Sequence, residues 1–337
     1  MNILLVGYLD RNFGDDMMIR IVCNQLKDHK LFIKEYKKEL LLPFKNIQNF
    51  HDIDEYPNIK IDRILRVTGS GFMITNKVGI YYGIIACFKH LKKIPKAVIG
   101  CNVGPIYNRF ASFLLKLDMK TNKVITVRDE FSLKFVKDKL KKVKTNYFPD
   151  IVFGIPNEWL PDNRNEGCLG ISAYRRGNAD NLSFYKKLAK IADDFITKNN
   201  KKVLLFAFDT ENENDIIAAI TIKQFCKHNE MIEIIVHNDN GNNIISNMSR
   251  CGKFVAVRLH SAIMAIRLGI PFAIIAYSEK TSRVLDGLEY AEKRFYVDNF
   301  EADEVVSFLE KAKPFFVNQK VFSDARLHVE MFRKEML

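Results

Sequence analysis

The chain has 337 residues, 47% hydrophobic and 27% charged, which excludes a disordered or fibrous protein and calls for two lobes, since domains run to roughly 50–250 residues. Its best apolar run, Ile270 to Tyr277, is strand-sized, and no uninterrupted run approaches the ~18 residues a membrane-crossing helix needs. A net charge of +12 invites anionic partners without choosing among them.

The first strand begins almost at once, with NILLV (2–6), and leaves no room for a basic-then-apolar signal peptide, so a cytoplasmic protein is expected. From there short apolar runs alternate with amphipathic stretches, the pattern of βαβ units and parallel sheets. In the first half strands are expected near 2–6, 63–68, 96–101, 123–127 and 145–148, with helices near 15–28, 79–92, 109–119 and 129–140. Met18, Val22 and Leu26, spaced four apart, mark the inner face of the first helix. The segment FGIPNEWLPDNRNEG (153–167) carries two prolines and two glycines and reads as an inter-domain connection. Beyond it strands are expected near 168–173, 202–207, 231–236, 253–257 and 272–276, separated by helices near 180–197, 212–227 and 260–268. The expected class is α/β, two doubly wound Rossmann-like domains facing a central cleft, over 1–155 and 166–300. A tail over 301–337 reads as two helices broken near Pro314, with a terminal helix packing back on the first domain.

The lysines are diffuse, as in KEYKK (34–38) and KDKLKKVK (137–144). They form no arginine-rich stripe with interleaved aromatics, so nucleic-acid binding is not expected, while peripheral contact with the inner face of the membrane stays open. Six scattered cysteines without a CxxC pair read as reduced core residues, and no metal site is expected.

Ligands of doubly wound folds bind at the carboxyl ends of the strands, so the strand-end loops matter most. In GYLDRNFGDDMMI (7–19), Asn12 and Gly14 precede Asp15 and Asp16 at a helix start. Helix capping accounts for the carboxylates; if they act on a ligand they face hydroxyls, because two carboxylates repel an anion. VTGSGFMI (67–74) brings Gly69, Ser70 and Gly71, which permit close backbone approach. GCNVGPI (100–106) ends a strand on Asn102, Gly104 and Pro105, and VITVRDEFS (124–132) sets Arg128 before Asp129, a pair that could simply brace the cleft.

The loop Arg258-Leu259-His260, between a strand and a helix, carries the strongest signal. Arginine offers a planar fork for carboxylate or phosphate, histidine exchanges protons near neutral pH, and the helix start favours an anion. In the same half Tyr174-Arg175-Arg176-Gly177 follows one strand and Lys280 another, so three cationic loops could converge on one anion.

Together NFGDD, TGSG, CNVGPI, VRDEFS, PDIVF (149–153), GISAYR and VRLHSAIMAIRLGIPFAIIAYSEK resemble, in order and spacing, the polysaccharide pyruvyl transferase family. The resemblance implies a GT-B-like fold, phosphoenolpyruvate as donor, and a sugar hydroxyl pair, polymer-borne or lipid-linked, as acceptor of a pyruvate ketal. It implies no cofactor. By resemblance Arg258 and His260 take the donor-binding and catalytic positions, and Leu259 lines the same pocket. The arginine expected after the first strand of the second half is Arg175 or Arg176, with Lys280 a further donor contact. Asp15 would activate the acceptor, and Asn12, Asp16, Gly69, Ser70, Asn102 and Arg128 would contact it; Ser70 stands where the family carries a glycine. A nucleotide-sugar glycosyltransferase and a non-catalytic binder of anionic glycans are the alternatives.

Overall fold

The computed structural model describes residues 1–69, 94–103, 109–140, 143–162, 165–177 and 181–337. Ser70, Gly71, Cys87, Gly104, Pro105 and the helix expected near 79–92 lie outside the described residues. The chain divides into two compact units. The first comprises Met1–Tyr8, Met18–Gly154 and Gln319–Leu337; the second, Leu9–Met17 and Ile155–Asn318.

The first unit holds a parallel seven-stranded sheet in the order β3-β2-β1-β4-β5-β6-β7. Its strands are β1 (Asn2–Val6), β2 (Lys30–Ile33), β3 (Phe50–Asp52), β4 (Arg63–Val67), β5 (Lys96–Cys101), β6 (Asn122–Val127) and β7 (Lys144–Tyr147). β5 is buried along its whole length, as a strand covered on both faces must be; hence its near-continuous apolar sequence. Helices α1 (Phe13–Gln25), α2 (Arg109–Lys120) and α3 (Glu130–Lys139) follow β1, β5 and β6. Met18, Val22 and Leu26 are fully buried, which accounts for their fourfold spacing. Leu115 and Met119 of α2 pack with Val98, Ile125 and Val136 in the core of this unit.

The second unit repeats the plan with six parallel strands ordered β10-β9-β8-β11-β12-β13. They are β8 (Cys168–Ala173), β9 (Val203–Ala207), β10 (Ile232–Val236), β11 (Cys251–Ala256), β12 (Phe272–Ala276) and β13 (Arg294–Tyr296). The helices are α4 (Leu182–Asn199), α5 (Asp215–Phe225), α6 (Asn242–Met248), α7 (Leu259–Arg267), α8 (Glu279–Asp286) and α9 (Ala302–Lys311). The chain leaves β8 towards β9 and β10 and returns on its other side at β11. The strand order therefore reverses between β8 and β11, the switch point at which doubly wound sheets leave a crevice.

The tail differs from the two-helix expectation. It contains α9, then α10 (Gln319–Asp324) and α11 (Leu327–Met336), with Pro314 in the non-helical stretch after α9. α9 packs on α4 and β12 inside the second unit, whereas α11 packs on β5 and β6 inside the first. Among the described residues five cysteines are buried and free, and no helix is long and apolar enough to cross a membrane.

Candidate functional site

At the switch point of the second sheet β11 runs out and Arg258 caps α7 in an extended conformation. Its guanidinium is buried. Nε and Nη2 donate to the two carboxylate oxygens of Asp215 at 2.6 and 2.7 Å, and Nη2 also lies 2.6 Å from Glu213 Oε2. The two carboxylates are unlike: the Asp215 side chain is 0% exposed and that of Glu213 is 41% exposed. The guanidinium sits 5.0 Å from the centroid of the Tyr174 ring, which stacks on Tyr277 at 4.3 Å. Burial alone would lower the Arg258 pKa, but the Asp215 charge and hydrogen bonds outweigh it and push the value up, so the cation persists at any physiological pH. Burial pushes the Asp215 carboxyl up against the pull of Arg258.

His260 is the second residue of α7, and its ring lies directly against Gly14. A β-carbon at position 14 would stand 1.7 Å from His260 Nδ1, so the imidazole occupies the space that the missing side chain leaves. Gly14 N donates to Asn12 Oδ1 at 3.0 Å, and Asn12 Nδ2 donates to Asp209 Oδ2 at 3.1 Å. Asp209 in turn accepts from Asn212 N and Glu213 N, and its own N–H donates to Asp215 Oδ2 at 3.0 Å. Phe13 N donates to Phe208 O at 2.8 Å. The NFGDD loop, the loop after β9 and the Arg258 loop are thus one hydrogen-bonded body within the second unit.

Asp16 is 3% exposed, and its Oδ2 is 2.8 Å from Nε2 of the equally buried His237. Burial raises the Asp16 pKa while His237 opposes the rise. Through this contact Asp16 braces the end of β10. Asp15 is half-buried. Asp10, bonded to the Asn212 side chain, is pushed up to about 7 by burial and then by the neighbouring Asp209 and Asp16 charges.

The two candidate arginines separate. Arg175 N donates to Asp215 Oδ1 at 3.1 Å, tying its loop to the Arg258 pair. Arg176 pairs through Nη2 with the exposed Asp298 at 2.7 Å. Leu259 is buried, and Lys280, half-buried, lies in the first turn of α8.

The first unit gathers Gly69, Asn102 and Arg128, but into an interior network. Arg128, 5% exposed, donates to Asn102 Oδ1 at 2.5 Å and to Gly69 O at 2.7 Å, and forms its ion pair with Asp150. Asp129, the partner expected from the sequence, instead caps α3 by accepting from Ser132 N at 2.8 Å, and accepts from the Asn102 amide. A β-carbon on Gly69 would come within 2.9 Å of Arg128 Nη2. Sequence reasoning did not single out Asp10, Asp209, Glu213, Asp215 or His237. Four of them follow β9 and β10 directly, and the acid-rich strand end FAFDTENEND (206–215) was a readable signal.

A comparison with curated proteins finds no match. Solved structures match the whole chain. UDP-GlcNAc 2-epimerase from Neisseria meningitidis bound to UDP-GlcNAc is 13% identical over 99% of this chain and 100% of that one, with a TM-score of 0.65. The 2-epimerase from Rickettsia bellii is 12% identical over 99% and 95%, with a TM-score of 0.61. A Glycyrrhiza uralensis protein complexed with glycyrrhetinic acid 3-O-monoglucuronide is 8% identical over 100% and 95%, at 0.57. At such identities the likeness is one of fold, and it places the chain in the GT-B-like class built from two Rossmann-like domains. Within that class the sequence is more specific: a family model, polysaccharide pyruvyl transferase, matches residues 12–279. The chain belongs to the polysaccharide pyruvyl transferase family.

Proposed function

We propose that this enzyme moves the pyruvyl group of phosphoenolpyruvate onto two hydroxyls of one sugar, as a ketal, with release of phosphate. The observation that carries the reading is the setting of His260 against Gly14, two residues after the buried Arg258, at the switch point of the second sheet. The start of α7, Arg258, Arg175 and Lys280 supply positive potential for the donor's phosphate and carboxylate. Glu213 is the displaceable counterion: the incoming anion takes its place on Arg258, while Asp215 keeps the fork aimed.

His260, as its imidazolium, gives a proton to the donor's methylene carbon, leaving an oxocarbenium-like centre that the cations hold next to the phosphate. One sugar hydroxyl adds to that carbon, the C–O bond to phosphate breaks, and the second hydroxyl closes the ketal. Of the two hydroxyl protons one replaces that given to the new methyl group and the other leaves with phosphate. Asp15 assists the attacking hydroxyl of the acceptor, a polymer or a lipid-linked glycan. The reaction takes place in the cytoplasm, with peripheral contact at the inner face of the membrane where the acceptor is lipid-linked.

The test is phosphate release from phosphoenolpyruvate with glycan acceptors, for wild type and His260→Ala. Acceptor-dependent release that the variant loses by 10²-fold or more, with its melting unchanged, is the expected result; near-normal release from the folded variant would sink the assignment. Thermal stabilisation by nucleoside diphosphates and not by phosphoenolpyruvate would favour a nucleotide-sugar donor instead.

A further inference from the structure

On α2 the buried side is made by Leu115 and Met119, at 2% and 0% exposed, while Phe113 and Leu117 on the opposite side are 55% and 38% exposed. Residues four apart are neighbours on a helix surface, so these two make a continuous apolar ridge. Lys116 lies on the same side, and Lys120 continues the ridge to the end of the helix. Just beyond is a groove of about 890 Å³ at the amino-terminal edge of β6 and β7, to which Lys120, Lys123, Lys139 and Lys144 contribute cations and Asp138 and Glu335 carboxylates. Glu335 pairs with Lys144 at 2.5 Å. The groove has four cations to two carboxylates and adjoins the exposed apolar ridge through Lys120.

We infer that this face of the first unit is a docking surface for an anionic lipid bilayer, with Phe113 and Leu117 entering the headgroup boundary and the groove lysines taking lipid phosphates. Apolar side chains flanked by lysine match an interface that is oily below and negatively charged above. A nucleic acid would match the lysines but leave Leu117 with nothing to cover it. The inference extends the membrane-contact part of the proposed function and does not depend on the transfer chemistry. None of these residues belongs to the catalytic site, which lies at the carboxyl ends of the second sheet.

The experiment is sedimentation of the full-length chain with vesicles of phosphatidylcholine alone or mixed with phosphatidylglycerol. Binding is expected to the mixed vesicles only and to weaken with salt. Each lysine near an anionic surface strengthens binding about fivefold, so Lys120→Gln with Lys123→Gln should weaken it by more than about tenfold. Phe113→Ser with Leu117→Ser should do the same without altering the salt dependence. Equal binding to neutral vesicles, or wild-type binding by either double variant, would overturn the inference. So would displacement from vesicles by inorganic phosphate or by single-stranded RNA, with the apolar variant unaffected, which would make the groove a general polyanion site. Phosphate release measured with a soluble acceptor reports separately on the transfer reaction and should be unchanged in both variants.

Discussion

Gly14 carries a constraint that most glycines do not. Alanine there places its methyl within bonding distance of the His260 ring, so the imidazole must rotate away, although the substitution adds a single carbon. For the proposed reaction, Gly14→Ala is expected to lower kcat by roughly 10²-fold, because small misplacements of a proton donor act on the rate, while the melting temperature moves little; unchanged kcat would show that the ring position is not needed. Asp10 makes a second prediction. Its folded pKa of about 7 lies above the unfolded value near 3.8, so the folded state holds the proton more tightly, and stability falls as pH rises through the window from about 4 to 7. Asp10→Asn should remove that loss and gain on the order of 1–3 kcal/mol at pH 8 relative to pH 5, measured by denaturant unfolding at both; a parallel pH dependence in the variant would refute it. At this scale the sequence disclosed chemistry better than partnership. Arg258 and His260 were readable as a strand-end arginine and histidine. That the arginine is held by a carboxylate 43 residues earlier, or that Asp16 meets a histidine 221 residues away, is encoded only in the packing of three loops.

At the level of elements the long strands were legible because a parallel strand buried on both faces has to be a run of apolar residues, as in VLLFA and FAIIA. The elements that escaped notice are short or polar, among them β2 as KLFI, β3 as FHD, β13 as RFY, α6 as NNIISNM and α8 as EKTSRVLD, where propensity is weak and tertiary packing decides. α11 shows how such packing adds a pH response. Its His328 is wholly buried, bonded to Thr126 Oγ1 at 2.6 Å and Pro149 O at 2.9 Å, and burial lowers its pKa to about 4. The folded state binds this proton less readily than the unfolded one, so the contribution is complete above about pH 6.5 and is lost as pH falls towards 4. Going from pH 7 to pH 5 should cost about 2 kcal/mol through this residue, the opposite sign to Asp10. His328→Phe should start less stable but lose that acid sensitivity; hydrogen exchange of α11 at the two pH values reads the effect locally, and acid-independent protection in the wild type would contradict it.

For the whole molecule, each sheet has a cluster of buried residues of its own, and the proposed donor site lies at the second sheet alone. Phosphoenolpyruvate should slow hydrogen exchange at the carboxyl ends of β8, β11 and β12 and leave the amino-terminal edge of β6 and β7 unaffected. Protection confined to the first unit would move the donor site. The division of the chain also has a consequence in time. Leu9–Met17 belongs with strands that follow residue 155, and Gln319–Leu337 belongs with those that precede it. At ~5–20 residues per second of synthesis, the NFGDD loop emerges on the order of ten seconds or more before the β9 and β11 loops that receive it, and β5 and β6 lack their α11 cover until residues 327–336 are made. A nascent chain therefore displays the apolar part of β5 and β6 that α11 later covers for the time taken to make about 200 further residues, a state in which chaperones have a substrate and a premature stop near residue 318 leaves a lasting one.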